Sequence, residues 1–252
     1  VARGALRLGV FAIAALIVWQ LLFLRYGAQL FPGPLIVGAA IVKLALSGVL
    51  VTNLAITLRR VLIGFALATA AGIPLGLILA SKNPIAGFIE PIVPVLQTVP
   101  STGWALVAVI WFGLSDATPV FVVFVTSLPV IAVNTYAGVQ SVNADWLQMA
   151  RSFHMTPAGI VRAVMLPAIL PYLLAAVRLA FGYGWRISGV AEALGSSSGV
   201  GYQILSASNL IHTELVLAWI VVGVLTMLVI EYGLLRPLEQ YLFRWRREAV
   251  SS

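Results

Sequence analysis

Residues 61–81 form a run of 21 positions without one charged side chain. As a helix, such a run is about 31 Å long, which matches the roughly 30 Å hydrocarbon core of a bilayer. Inside lipid every backbone N–H and C=O must be satisfied within the protein, so only helices or closed barrels span. The apolar residues here are continuous rather than alternating, which selects helices. Uncharged stretches recur at residues 8–24, 91–113 and 120–139, and apolar stretches with one or two charges at 167–191 and 215–235. The sequence therefore predicts an all-α, polytopic membrane protein of about six transmembrane helices.

Composition closes off the alternatives. Hydrophobic residues make up 61% of the chain and charged residues 9%, against about a quarter charged in a soluble domain. The net charge of +7 does not indicate a nucleic-acid partner, because the basic residues are scattered at span ends rather than gathered on one polar face. With no cysteine, thiolate metal sites and disulfides are excluded. Residues 8–24 follow Arg3 and Arg7 and lack a convincing small-residue cleavage site, so they are expected to be the first span rather than a leader.

The whole of 1–252 is expected to form one membrane domain. Residues 1–50 supply the first span and an interfacial helix at 35–50; 52–236 supply the core spans. A polar hairpin occupies 144–165 and a basic tail 237–252. Pro91, Pro94 and Pro100 should bend the third span and free carbonyls that need partners. Gly72 and Gly76, flanking Pro74, suit close helix packing. Placing both termini in the cytoplasm puts Arg3, Arg7, Lys82, Arg151, Arg162, Arg236, Arg244, Arg246 and Arg247 there. Only Arg25, Lys43, Arg59 and Arg60 lie opposite. Nine against four favours that orientation.

The one long polar interruption is DWLQMARSFHMTPAGIVRAVMLPAILP, residues 145–171. Trp146, Met149, Ala150 and Phe153 recur at helical spacing and give a first short helix one apolar face. The chain breaks at 154–157, and Pro157 suits the first turn of a second helix. An amphipathic hairpin between two spans needs something to cover its apolar face. A separate soluble protein is the expected cover.

These residues resemble the EAA loop of permease subunits of ATP-binding-cassette (ABC) importers. That pattern reads E-A-A-x-x-x-G, a spacer, then I-x-L-P. Here Gln148-Met149-Ala150-Arg151-Ser152-Phe153-His154 stand at its start and Val164-Met165-Leu166-Pro167 at its end. Thr57-Leu58-Arg59-Arg60-Val61-Leu62-Ile63-Gly64-Phe65, Trp111-Phe112-Gly113, Asn134-Thr135-Tyr136-Ala137-Gly138, Ala191-Glu192 and Gly199-Val200-Gly201-Tyr202 extend the likeness. Over residues 15–245 the chain is similar to the nitrate/sulfonate/taurine-type branch. Two positions depart from the pattern. Gln148 replaces the loop's acid and keeps hydrogen bonding without charge. His154 replaces the glycine that turns the chain, and histidine tolerates positive φ better than most residues.

The resemblance implies a type I ABC importer permease fold in the bacterial inner membrane. Two permease subunits, expected to be identical, would each dock one of two ATPase subunits. The coupling residues would be Trp146, Gln148, Met149, Ala150, Arg151, Phe153, His154 and Pro167. An extracytoplasmic binding protein would deliver a small solute, with an anion such as a sulfonate, nitrate or related oxyanion favoured. The chain has no G-x-x-x-x-G-K-[ST] phosphate loop, so ATP and magnesium belong to the partner ATPase. This chain is expected to be no enzyme, to bind no cofactor itself and to have membrane lipid around it.

Gln97, Thr98, Thr126, Asn134, Arg186 and Glu192 are the candidates for the translocation pathway. The polar four can instead satisfy carbonyls freed by nearby prolines. Arg178 and Arg186 fall inside the fifth span, where a charge faces a cavity or a partner. Arg178 can serve an anion path or snorkel to the cytoplasmic edge, and Arg186 can serve such a path or pair with Glu192. Glu90 and Glu231 are expected at the interface. Gly195-Ser196-Ser197-Ser198-Gly199 formally fits a nucleophile elbow, but no strand precedes it, so a turn near the gate is expected and no catalytic residue. His154 and His212 lie on opposite predicted sides, so no metal site is expected. A transporter driven by an ion gradient is the alternative; it predicts inverted repeats and intramembrane carboxylates. An intramembrane enzyme would need a catalytic cluster, and none is found.

Overall fold

A computed structural model describes residues 2–81 and 84–242. Lys82 and Asn83 of the expected turn, and Arg244, Arg246 and Arg247 of the expected tail, lie outside the described residues. All regular structure within them is helical: α1 (Ala2–Tyr26), α2 (Pro34–Leu46), α3 (Val49–Leu79), α4 (Pro84–Ile89), α5 (Ile92–Thr98), α6 (Ser101–Phe112), α7 (Ala117–Gln140), α8 (Ala144–Ser152), α9 (Pro157–Ile160), α10 (Leu166–Gly195), α11 (Val200–Asn209), α12 (Thr213–Ile230) and α13 (Arg236–Leu242).

The core is a three-helix layer of α3, α7 and α10. Its first interface follows from a ladder of small residues four apart, Gly64, Ala68, Gly72 and Gly76, all buried on one face of α3. A methyl group added at Gly64 would sit 2.6 Å from the Val120 carbonyl oxygen, and one at Gly76 would sit 2.5 Å from that of Ala132. The two backbones are therefore in contact, as small residues allow in membrane helix pairs. The contacts advance together along both helices, so α3 and α7 run parallel. Pairings between α7 and α10 run the other way. Gly138 meets Tyr172, Gly184 meets Val123 and Gly195 meets Thr118, so these helices are antiparallel.

That topology decides how many times the chain crosses. Four helices are long and apolar enough to span: α3, α7, the continuous stretch Val161–Gly195 and Thr213–Tyr241. α3 ends at the hairpin end of the layer, and α7 begins at the opposite end. The intervening α4–α6 must carry the chain back across. It does so as a broken span, bent by 98° between α5 and α6. The expected third span, a single bent helix, is thus corrected to two pieces parted at Val99 and Pro100. Pro100 has no N–H for the Leu96 carbonyl, and the Trp104 indole donates to that oxygen at 3.4 Å. Four or five spans meet the length and hydropathy of a crossing among the described residues, against about six expected from the sequence. The described apolar part of α1, Ile13–Tyr26, is shorter than the others.

α2 is the expected helix after the first span, but it does not lie free. Val37 and Ala40 pack against Ala218 of α12. Trp219, almost fully buried, joins Val200 and Val222 in the neighbouring cluster. Two π-helical turns, Val161–Met165 and Glu231–Leu235, each end two residues before a proline, Pro167 and Pro237. In both, the residue before the proline donates five positions back, Leu166 to Val161 and Arg236 to Glu231. The wider turn suits a proline, whose ring would otherwise press on the carbonyl four residues earlier.

Candidate functional site

The hairpin between α7 and α10 is built from local signals. Asn143 caps α8 by accepting the Asp145 N–H at 2.7 Å. Asp145 in the first turn and Arg151 in the last suit the helix dipole. The helix ends in a Schellman arrangement: the Met155 N–H reaches the Ala150 carbonyl at 3.2 Å and the His154 N–H reaches that of Arg151 at 2.9 Å. His154 takes φ +52°, the left-handed position expected of the residue replacing the loop glycine. Thr156 then caps α9, its hydroxyl accepting from Gly159 N–H at 3.2 Å, and α9 begins at Pro157 as expected.

Ala150 is buried, 2% exposed, and holds α8 to the body. The other apolar residues of the face are open: Trp146 is 55% exposed, Met149 56% and Phe153 74%. Trp146 and Met149 face Val164, Pro167 and Tyr172 across a cavity of about 740 Å³. Gln148 and Arg151 are exposed beside them. The predicted coupling residues therefore come together on one small surface at one end of the bundle.

The pathway candidates do not converge on one described cavity. Gln97 and Thr98 are exposed at the break of the bent span, where the Thr98 hydroxyl donates to the Pro94 carbonyl at 2.9 Å. Thr126, buried, donates to Val122 at 2.7 Å, and the Asn134 amide donates to Val130 at 2.8 Å. These are ordinary carbonyls four residues back, not ones freed by proline. Arg186 does not pair with Glu192; its Nε donates to the Gly182 carbonyl at 3.0 Å, and it lines a second cavity between α10 and α12. Arg178 is not a lone charge. It is ion-paired with Glu231, in the π turn after α12, and with Glu239 of α13 at 3.2 Å.

The partner of Glu192 is Arg60, one of the four basic residues that the charge pattern assigns to the side opposite the cytoplasm. Arg60 is 2% exposed and Glu192 0%. Arg60 Nη1 donates to Glu192 Oε1 at 2.9 Å and to the Ser198 carbonyl at 2.7 Å. Its Nε donates to Asp116 Oδ1 at 3.0 Å, and Nη2 donates to Asp116 and to Ser198 Oγ. Glu192 also accepts from the Thr57 hydroxyl at 2.9 Å and the Gly201 N–H at 3.0 Å. Asn53 Oδ1 accepts from the Gly199 N–H at 2.8 Å. Gly199, at φ +101°, would place any side chain 2.4 Å from the Glu192 carboxylate. The serine-rich sequence is thus the buried turn of an ionic clamp that ties α3, the start of α7 and the end of α10 together. It is no nucleophile elbow.

Asp116 lies just outside the spans, bridging Arg60 and the exposed Arg59. The hydrogen bond from Arg60 outweighs partial burial and holds its carboxyl below the ordinary 3.8, with the Arg60 and Arg59 charges acting the same way. Sequence reasoning missed this clamp. Asn53, Thr57 and Arg60 recur at helical spacing on the buried face of α3. A polar stripe of that kind, opposite a lone carboxylate in another span, was the available signal. No group of three or more metal-ligating side chains occurs among the described residues.

A bundle of long apolar helices with an amphipathic hairpin between two of them is the architecture of a polytopic membrane protein. Residues 72–234 match the family described as binding-protein-dependent transport system inner membrane component, and the chain belongs to it. It is 28% identical to the taurine transport system permease protein TauC of Escherichia coli (strain K12), over 96% of this chain and 90% of that protein. It is 31% identical to the putative aliphatic sulfonates transport permease protein SsuC of Bacillus subtilis (strain 168), over 87% of this chain and 79% of that protein. The fold is similar to a chain of the MetNI methionine ABC transporter in inward-facing form. There the TM-score is 0.70 at 17% identity, covering 79% of this chain and 98% of that one. The protein is thus a membrane subunit of an ATP-driven importer that works with ATPase and binding-protein partners. The ATPase activity belongs to the partner.

Proposed function

We propose that the hairpin of α8 and α9 is the surface that docks the ATPase, and that two identical copies of this chain move a small anion. The observation that carries the docking surface is the uncovered apolar face of α8, with Trp146, Met149 and Phe153 all more than half exposed. Helix-in-groove recognition uses anchors at such spacings. The hairpin continues through the π turn into α10, and α10 reaches the clamp at the far end. A push on α8 therefore has a continuous helix along which to act.

The hairpin end is the cytoplasmic one in this reading. Arg151, Arg162 and Arg236 lie there, whereas Arg60, counted on the other side, is neutralised inside the clamp by Glu192 and Asp116. The substrate class follows the relatives, named for taurine and aliphatic sulfonates. It is supported by Arg186, an exposed cation within a span for which no ion pair is recorded among the described residues.

The test is a pull-down from solubilised membranes with this chain tagged, repeated with Trp146→Asp and Phe153→Asp together. The native chain should bring down an ATPase and the variant should not. An ATPase that stays bound to the folded variant would remove the hairpin from the contact.

A further inference from the structure

We infer that the cleft between α10 and α12 is a binding site for an amphiphilic anion. Its acidic head would pair with Arg186, and its apolar tail would lie along the cleft. The cavity measures about 400 Å³, near the lower end of small-molecule sites. Its walls come mainly from Trp185, Ile204, Trp219, Val224 and Met227, with Arg186 at its edge. This is an apolar trough with one cation.

Three observations carry the inference. First, Arg186 lies six residues before Glu192, about 9 Å along the helix axis and within the apolar stretch. A cation at such depth is costly unless something answers its charge. Second, the carboxylate that follows Arg186 on α10 and the one that follows α12 are already committed. Glu192 is taken by Arg60, and Glu231 by Arg178. The single recorded bond of Arg186 comes from Nε to the Gly182 carbonyl. That bond fixes the side chain while leaving the terminal nitrogens for another acceptor. Third, the trough is open where a tail would lie. At Gly223, facing it from α12, an added methyl would meet only Val200 Cγ1 at 3.9 Å. An inorganic oxyanion would use the arginine and leave the apolar walls wet, so the geometry favours a ligand with a tail.

Such a ligand has two sources: an alkyl sulfonate being transported, or an anionic lipid of the surrounding membrane. The choice of a transported solute rests on the proposed function; the site itself does not.

The test uses the full chain in nanodiscs of neutral phosphatidylcholine, with 6-bromohexanesulfonate as probe. Its bromine quenches tryptophan at contact, and Trp185 and Trp219 both border the cleft. Saturable quenching is expected. It should weaken at least tenfold in Arg186→Gln, be retained in Arg186→Lys, and be lost in Gly223→Leu, which fills the trough. Unlabelled alkyl sulfonates should compete about fourfold more tightly per added methylene, and inorganic sulfate should compete poorly. If Arg186→Gln does not fold, the lysine and leucine variants carry the test.

A second arm adds phosphatidylglycerol to the nanodisc. Displacement of the probe assigns the site to lipid; persistence of the probe assigns it to the solute. Unsaturable quenching, quenching indifferent to Gly223→Leu, or equal competition by sulfate would each overturn the inference. So would absence of quenching, as when a second copy seals the cleft. ATPase co-purification, measured on the same preparation, stands or falls separately and reports on the permease reading alone.

Discussion

The two ends of α10 satisfy opposite rules. At its C-terminal end Arg60, Glu192 and Thr57 are almost fully buried, and no buried side-chain polar atom among the described residues lacks a partner. At its N-terminal end the hairpin leaves Trp146, Met149 and Phe153 more than half exposed among the described residues. A buried charge is tolerated only when every donor and acceptor is matched. An exposed apolar face is tolerated when a partner covers it. One end is therefore finished within the chain, and the other, on the proposed function, is completed by the ATPase. The contrast sets a satisfied ionic clamp against an open apolar face along one continuous helix.

The largest effect is expected from breaking the finished end. Arg60→Ala leaves Glu192 buried and without its cation. Removing one member of a buried pair destabilises by about 3–5 kcal/mol. Thermal unfolding in detergent should show it. The double replacement Arg60→Met with Glu192→Leu should cost less than the sum of the two single changes, by about 1–3 kcal/mol. Simple additivity would mean that the two residues stabilise the chain independently and that the clamp is not a unit.

Breaking the open end should do the reverse. Phe153→Asp touches no internal partner, so stability should stay within about 0.5 kcal/mol. ATPase binding should weaken by roughly 30-fold, as for the loss of a central apolar anchor worth about 2 kcal/mol. Uptake by reconstituted transporter should fall with it. A variant that loses stability but keeps uptake would exchange the roles of the two ends.

Within the hairpin a smaller effect isolates the turn. His154 sits at φ +52°, where a Cβ is crowded. His154→Gly should stabilise the chain by about 0.5–1 kcal/mol while ATPase affinity is kept. His154→Val should do the opposite, since a β-branched residue fits that conformation poorly. Equal melting temperatures for the three forms would mean that the turn is held by the body of the protein rather than by its own backbone.

How much of this was legible in the sequence follows from the range of each interaction. The spans at α3, α7 and α12 could be read because a nearly uncharged run of about 20 residues has few other fates, and α10 because its few charges leave it apolar over such a length. The hairpin could be read because its periodicity, cap and turn all lie within a few residues of one another. Arg60 could not be assigned, because its partner Glu192 is 132 residues away and a span-end arginine usually faces water. The same holds for Arg178, whose acceptors come from beyond α12. Pro94 and Pro100 signalled a bend in the third span. Only the positions of α3 and α7 require that the pieces on either side of it still cross. Thr126 and Asn134 looked alike as pathway residues and as self-satisfied helix residues, since a hydrogen bond four residues back leaves no trace in sequence.

Asp116 supplies the finest comparison, because water reaches it: its side chain is 54% exposed, against 2% for Arg60. Its carboxyl titrates below 3.8 in the folded chain, chiefly through the hydrogen bond from Arg60. The unfolded chain therefore binds the proton first as pH falls. The stabilisation from this residue is complete above the unfolded value and drains away as pH drops from there through the folded value. Asp116→Asn removes the charge and keeps an acceptor for Arg60. The variant should be slightly less stable than the native chain at pH 7, and the gap should close as pH falls below 4. Exposure to water and salt keeps the gap small, so it is best read as the difference between two melting curves taken at each pH. A gap that stays constant across the range would place the acid sensitivity of this end on another group and leave Asp116 as a hydrogen-bond acceptor alone.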